Sequence, residues 1–296
     1  MDISVIILNY KQKGLVKQCI KGLVTAQPDL DYEIIVVDNN SGDGSLEMVA
    51  DLYREEIQQA QVQAQQSLPI AKPLKIPEIR TIQSGHNGGF GFGHNIGIKD
   101  ARGKYILTIN PDVAIVAGAL EKMLAFMEAR PDVGIIGPRL INPDGSVQYS
   151  CRRFPNFLTP VFRRTFFGNL PSAKNSVSDY LMKDFDHKTN MEVDWLFGAC
   201  LLISKKALDE VGMFDERFFL YFEDLDLCRR FWEKGFKVMY FADVEMVHYH
   251  HRLSAERRGL LGIFSQGGRI HISSGIKYFA KYLGAKLPVQ SPTGQK

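Results

Sequence analysis

The chain opens on "ISVIILNY" and then keeps a rhythm: a short β-branched apolar run, a polar break, a longer amphipathic stretch. Ile3 to Leu8 reads as a strand and Leu15 to Val24 as a helix. Glu33 to Val37 is the next strand, with a helix from about Ser45; Ile79 to Gln83 follows, with a helix near Phe92 to Lys99. Tyr105 to Ile109 is a fourth strand, with a helix from about Ala117 to Ala129. Four such units in a row predict an α/β fold whose central sheet is mostly parallel, with helices on both faces. Six glutamines between Gln58 and Gln66, then Pro69, Pro73 and Pro77, interrupt the rhythm. That stretch reads as a helix extension running into an irregular surface insertion, over residues 54–78.

Beyond Ile141 the pattern is mixed. A hairpin is expected around Asn142 to Ser146, an irregular basic-aromatic stretch from Cys151 to Phe167, and a buried strand near Leu196 to Ile203. A helix from Glu223 to Lys234, a strand from Lys237 to Phe241 and an amphipathic helix from about Ile270 to Tyr282 complete the chain. No internal repeat is seen.

In a parallel sheet, ligands bind beyond the carboxyl ends of the strands. Those ends carry Asn9, then "VVDNNSGDGS" with Asp38 and Asn39, then "SGHNGGFGFGHNIG", then "NPD" from Asn110 to Asp112. Each end supplies amide, carboxylate or glycine, so a nucleotide-sized site on one rim is the economical reading. Asp38 alone could equally serve its own turn. The glycine-rich segment lacks the third glycine of a dinucleotide fingerprint, and no P-loop motif occurs. Asn-Pro-Asp appears twice. The copy at Asn142–Asp144 precedes Gly145-Ser146 and suits a type I turn. The copy at Asn110–Asp112 closes an apolar strand at the rim, where two oxygen ligands would suit a divalent cation and a diphosphate. In "FEDLDLC", Glu223, Asp224 and Asp226 either favour a helix N-terminus or supply a general base; both readings stand.

With 296 residues, 45% of them hydrophobic, the chain can bury a large core, and a net charge of +3 gives no reason to expect nucleic acid. The distribution is less even: Val247 to Lys296 holds eight Lys/Arg against Glu256 alone. With Arg152, Arg153, Arg163 and Arg164 among phenylalanines, that tail could lie peripherally on an anionic membrane, or be a solvated basic face. Cys19, Cys151, Cys200 and Cys228 form no paired motif, which favours a reduced, cytoplasmic chain. No signal-like segment opens the chain, and its longest apolar run, Trp195 to Ile203, is too short to span a bilayer.

The segments "VIILNY", "VVDNNSGDGS", "GHNGGFGFGHNIGI", "LTINPDV", "VDWLFGACLLISKKALDEVGMFDERFFLYFEDLDLCRRFWEKGFKV" and "VHYHHRLS" resemble glycosyltransferase family 2, especially its rhamnosyltransferase-like members. The resemblance implies a GT-A fold: one catalytic domain over 1–255, with a Rossmann-like nucleotide-sugar half (1–115), a mixed acceptor half (116–255) and a basic helical extension (256–296). It implies inverting transfer from a nucleotide-diphosphate sugar, dTDP-L-rhamnose for the rhamnosyltransferase-like members, to a glycan or lipid-linked acceptor of the cell envelope. Asp224 corresponds to the catalytic base. Asn9, Asp38, Asn39, Asn87, Gly89, Asn95, Asn110 and Asp112 fall on the donor side, and Trp195, Gly198 and Glu223 on the acceptor side. Asp112, Asn110 and His248 correspond to the groups around a divalent cation, Mg2+ or Mn2+; Asn110 departs from the family's usual first aspartate. Transfer from a UDP-sugar (N-acetylglucosamine or galactose), and a catalytically silent sugar-nucleotide-binding protein, are the alternatives.

Overall fold

A computed structural model of the chain describes residues 1–26, 29–66, 76–164, 170–249 and 265–288. The first half follows the predicted rhythm. β1 (Ile3–Asn9), α1 (Lys13–Ala26), β2 (Tyr32–Asp38), α2 (Ser45–Gln66), β3 (Glu78–Gln83), α3 (Phe90–Asp100) and β4 (Tyr105–Ile109) alternate as expected. Most of the predicted insertion's loop, residues 67–75, lies outside the described residues. β1 is buried along its whole length, as a strand covered on both faces must be.

The second half departs from simple alternation. After β5 (Val113–Ala114) and α4 (Ala119–Ala129) comes β6 (Val133–Ile141), a nine-residue strand that the sequence reading missed. The expected irregular stretch contains β7 (Cys151–Arg152) and α5 (Thr159–Arg164); α6 (Pro171–Tyr180) and β8 (Met191–Glu192) follow. The single buried strand expected near Leu196 to Ile203 is broken: β9 (Trp195–Leu196) and β10 (Cys200–Ser204) flank Phe197-Gly198-Ala199. α7 (Lys205–Val211), α8 (Glu223–Glu233), β11 (Lys237–His248) and α9 (Gln266–Lys281) complete the order. β11 runs seven residues beyond the predicted end at Phe241, through an irregularity between Phe241 and Glu245.

The main sheet has the order β3-β2-β1-β4-β10-β6-β11-β5, with β8 also on β11. β10 is antiparallel to both β4 and β6, and β5 and β8 are antiparallel to β11; the remaining strands are parallel, so the sheet is mostly parallel. Side chains alternate across it. Ile3, Val5 and Ile7 join α1, α2 and α4 in one core, while Ile6 and Leu8 join α3, α7, α8 and α9 in the other. The predicted C-terminal extension therefore packs back: Tyr278 of α9 is buried in the second core.

At the amino edge of the sheet, away from the ligand rim, Glu33 is a buried carboxylate. It accepts from Ser4 Oγ at 2.7 Å, Arg80 Nη2 at 2.6 Å, and Arg102 Nη2 at 2.6 Å. Burial raises its pKa, but the hydrogen bonds from Arg102, Ser4 and Arg80 outweigh burial and hold it at about 2. A folded-state pKa below the unfolded value stabilises the fold above about pH 4.5, and that contribution is lost as pH falls toward about 2. Thermal melts should therefore show Glu33→Gln less stable than the parent above pH 4.5, with the gap closing as the pH drops. A gap independent of pH would contradict this account of Glu33.

Candidate active site

Asn9, at the end of β1, organises the first corner of the rim. Its Nδ2 donates to Asp38 Oδ1 at 2.7 Å and lies within 3.0 Å of Ser41 Oγ and 2.8 Å of Ser45 Oγ. Asp38 Oδ2 also accepts the Ser41 amide at 3.0 Å. Asp38 thus serves its own turn at the end of β2. Asn39 Nδ2 donates to Asn87 Oδ1 at 2.9 Å and Gly89 O at 3.0 Å, tying the end of β2 to the glycine-rich loop.

That loop is in turn held by the second half of the chain. The Phe90 amide donates to Phe219 O at 2.8 Å, and a Cβ on Gly89, whose φ is +99°, would stand 2.1 Å from that oxygen. Only glycine allows this approach. Asn95 turns the same way: its Nδ2 donates to Phe214 O and Glu216 Oε1, both at 2.9 Å, and its Oδ1 accepts the Phe214 amide. The side chain of Asn95 is therefore fully engaged with residues 214–216, away from the Asn9–Asp38 corner.

The two Asn-Pro-Asp copies stand in different settings, and the second is the turn that the sequence predicted. At the second, Gly145 N donates to Asn142 O at 2.9 Å and Asp144 accepts from Ser146 on an exposed turn. At the first, the Asn110 amide donates to Ala199 O at 2.8 Å, and β5 follows at once. β5 pairs with the end of β11, setting His248 opposite Val113. His248 Nε2 consequently lies 3.3 Å from Asp112 Oδ1.

Gln148, which the sequence reading did not single out, fixes this histidine. Gln148 Nε2 donates to His248 O at 2.9 Å and to Asn142 Oδ1 at 2.8 Å, so its Oε1 is the acceptor facing His248 Nδ1 at 2.8 Å. Nδ1 thereby carries a proton, and Nε2 faces Asp112. A carboxylate oxygen and an imidazole lone pair at this distance repel unless a proton or a cation stands with them. Asp112 Oδ1 is buried and accepts no hydrogen bond among the described residues. These features fit a cation held by Asp112 and His248 with Asn110 beside them. No group of three His, Cys, Asp or Glu suited to a metal occurs among the described residues. The cation would draw its remaining oxygens from the ligand and water, as Mg2+ commonly does.

The acids of α8 divide. Asp226 is committed to structure: it takes Arg230 Nε at 2.8 Å, Lys281 Nζ at 2.5 Å and Tyr282 OH at 2.8 Å. Asp224 is buried, with Oδ2 accepting the Gly198 amide at 2.9 Å and Oδ1 the Leu225 amide at 2.8 Å. Burial raises its pKa, while the Gly198 and Leu225 amides and the Arg152 charge oppose the rise. Glu223 is raised well above the ordinary range by burial and then by the Asp224 charge. Both members of the pair are thus raised by burial, Glu223 further because it also feels the Asp224 charge. Trp195 is buried and donates its indole N–H to Arg153 O at 2.8 Å. Gly198 contributes its amide rather than a side chain, and a Cβ there would stand 3.3 Å from Asp224 Cβ.

One short segment joins these groups: Ala199 receives the Asn110 amide, and Gly198 donates to Asp224. The ring of Phe197 lies 6.0 Å from that of His248. The first Asn-Pro-Asp and the Glu-Asp pair thus converge on one rim.

Residues 4–212 match Glycosyl transferase family 2. The chain belongs to that family. A relative from Mycobacterium tuberculosis, N-acetylglucosaminyl-diphospho-decaprenol L-rhamnosyltransferase, is 30% identical over 61% of this chain and 62% of its own length. The chain thus spans under two thirds of that relative. Rhamnosyltransferase WbbL of Escherichia coli K12 is 27% identical over 66% of this chain and 72% of its own. Among solved structures, S. aureus TarS 1-349 in complex with UDP-GlcNAc superposes with a TM-score of 0.52 at 17% identity, over 87% of this chain and 61% of that one. GalNAc-T7 with UDP, GalNAc and Mn2+ gives 0.61 at 13% identity, over 95% and 48%. The fold of this family 2 member is GT-A, as the sequence resemblance implied.

The assignment of Asp112, His248 and Gln148 makes a graded prediction. In calorimetry with Mn2+, Asp112→Ala should lose metal-dependent binding of a nucleoside diphosphate. Gln148→Ala should weaken it by about tenfold through loss of histidine orientation. Asp144→Ala, on the exposed turn, should bind like the parent. Equal losses at Asp112 and Asp144 in folded protein would contradict the separation of the two copies.

Proposed function

We propose that this chain is an inverting, divalent-cation-dependent glycosyltransferase. Its donor is dTDP-L-rhamnose, and its acceptor is a hydroxyl of a glycan or lipid-linked saccharide in cell-envelope polysaccharide synthesis. The observation that carries the proposal is the junction at Gly198-Ala199, where a cation-suited pair and a buried carboxylate meet on the rim of a GT-A sheet. The rhamnosyl donor rests on the mycobacterial and E. coli relatives.

Asn9, Asp38, Asn39, Asn87 and Gly89 form the corner that would receive the nucleoside, and Asp112, Asn110 and His248 would hold Mg2+ or Mn2+ at the diphosphate. When bound, that cation supplies positive charge to the leaving diphosphate. Asp224 takes the proton from the acceptor hydroxyl as its oxygen attacks the anomeric carbon from the face opposite the leaving group. Two backbone amides orient Asp224 in its buried position and oppose the upward pull of burial on its pKa. Glu223, holding its proton, adds no second negative charge beside the base.

A peripheral membrane position is part of the same proposal. Among the described residues no helix is long and apolar enough to cross a membrane. α9 turns one face into the core, yet Ile272, Ile276 and, just past its end, Leu283 are exposed, beside exposed Arg269 and Lys277. Exposed Phe157 meets Phe279 of α9 with ring centroids 5.5 Å apart, extending the apolar strip to Leu158. Apolar residues flanked by cations suit an anionic lipid surface. The membrane-facing stretch is narrower than the sequence suggested, since Arg152 and Phe154 are buried.

Three measurements follow. A screen of dTDP-, UDP- and GDP-sugars, reading released nucleoside diphosphate, should favour dTDP-L-rhamnose; preference for a UDP-sugar would overturn that donor. Asp224→Asn should lower transfer turnover by about 10²- to 10⁴-fold while metal-dependent nucleotide affinity holds. Parallel loss of binding and turnover would make Asp224 a donor or metal ligand. Co-sedimentation with phosphatidylglycerol-containing liposomes should weaken in Ile276→Glu and in high salt, whereas no dependence on anionic lipid would count against the membrane position.

A further inference from the structure

An open cavity of about 400 Å³ lies between α9 and the segment that leads into the acidic pair. Arg269, Ile270, Ser273, Ser274 and Lys277 line it from the helix, and Phe219 from the facing segment. These helix positions recur at intervals of three and four, so they share one face. Part of their chemistry is spent on the facing backbone: Ser274 Oγ donates to Leu220 O at 2.9 Å and Lys277 Nζ to Arg217 O at 2.8 Å. An ammonium group has three donors, so Lys277 keeps two. Among the described residues, the Arg269 side chain has neither an ion pair nor a hydrogen bond. No acid is among the described residues that line the cavity.

The cavity is not polar throughout, since Phe219 and Ile270 add apolar wall. Arg269 also belongs to a second row: Ile272 and Ile276 follow it at spacings of three and four, and both are exposed. Arg269 therefore borders the cavity on one side and the exposed apolar strip on the other. The ligand that matches both is an anion carried on an apolar body. Its oxygens take the donors of Arg269 and Lys277, and its chains lie along Ile272 and Ile276. A free inorganic anion would leave the apolar half unused.

We infer that this cavity seats the headgroup phosphate of an anionic phospholipid from the bilayer, as a defined site rather than a diffuse attraction between charged surfaces. The inference rests on the proposed membrane position and adds to it a particular lipid contact. The contact lies close to the rim: Phe219 O accepts the Phe90 amide at 2.8 Å, so the cavity and the glycine-rich loop share one short segment.

Dihexanoyl phosphatidylglycerol, kept below its micelle concentration, isolates the site from the bilayer. Titrated by calorimetry in EDTA, which removes any cation at Asp112, it should bind the parent saturably. Arg269→Gln should weaken that binding by about tenfold, and Lys277→Gln should weaken it too. Inorganic phosphate should bind more weakly than the lipid. Melting temperatures report folding; Arg269 is exposed and unpaired, so its variant decides even if Lys277→Gln unfolds. Absence of saturable binding, or equal binding by the parent and Arg269→Gln, overturns the site. Inorganic phosphate bound as tightly as the lipid overturns the lipid and leaves a free-phosphate site. Liposome co-sedimentation separates the site from the membrane position. Equal capture of the parent and Arg269→Gln by anionic liposomes, without short-lipid binding, keeps the membrane position and overturns the site. Arg269-dependent binding of the short lipid without capture by anionic liposomes keeps the phospholipid site and removes the membrane position.

Discussion

The rim depends on the backbone of three residues, Phe197-Gly198-Ala199, where the chain leaves β9 and enters β10. Ala199 O takes the Asn110 amide, and Gly198 N holds the carboxylate of Asp224. The ring of Phe197 lies 6.0 Å from that of His248 and 5.8 Å from the guanidinium carbon of Arg152. An unbroken strand would present only alternating side chains here, and its amides would be spent on the ladder. The break frees an amide for Asp224 and lets β10 return antiparallel between β4 and β6. A side chain at Gly198 would crowd Asp224, whose Cβ is 3.3 Å from the position a Cβ would take.

A second constraint acts from the other side. Tyr221 and Phe222, immediately before the acidic pair, both have left-handed backbones, with φ of 68° and 72°. For non-glycine residues each costs about 1–3 kcal/mol and persists only where surrounding contacts impose it. α9 supplies those contacts. Ser274 Oγ donates to Leu220 O at 2.9 Å, and the Phe222 ring packs on Tyr278 at a centroid distance of 5.5 Å. Asp226 then locks α8 to α9 through Lys281 and Tyr282. The helix that reads from sequence as an appendage is what holds the start of α8, with Glu223 and Asp224, in place.

Much of this was legible in the sequence. The alternation of β1 through β4 is visible because fully buried parallel strands are β-branched runs, and strand ends in such sheets collect ligand groups. The two Asn-Pro-Asp copies could be told apart by Gly145 alone. Other features depend on contacts too distant in sequence to leave a local pattern. β6 contains Gly134, Gly137 and Pro138, which mask its strand character. Gln148 matters only because β11 brings His248 to it across 100 residues. Glu223, Asp224 and Asp226 look alike on one helical turn, and only the tertiary partners separate them: backbone amides at Asp224, side-chain donors at Asp226. The Asn95 side chain, expected on the donor side, is spent on Phe214 and Glu216 for the same reason.

We propose a division of labour on one rim: charge on the leaving group at Asp112 and His248, and proton removal by Asp224 without a covalent glycosyl-protein intermediate. One displacement then carries the sugar from donor to acceptor. The most direct test is the anomeric configuration of the first-formed product, read from its one-bond carbon–proton coupling by NMR and compared with that of the nucleotide-sugar donor. Opposite configurations are predicted. The same configuration in donor and product would require a different chemistry and would contradict the role given to Asp224.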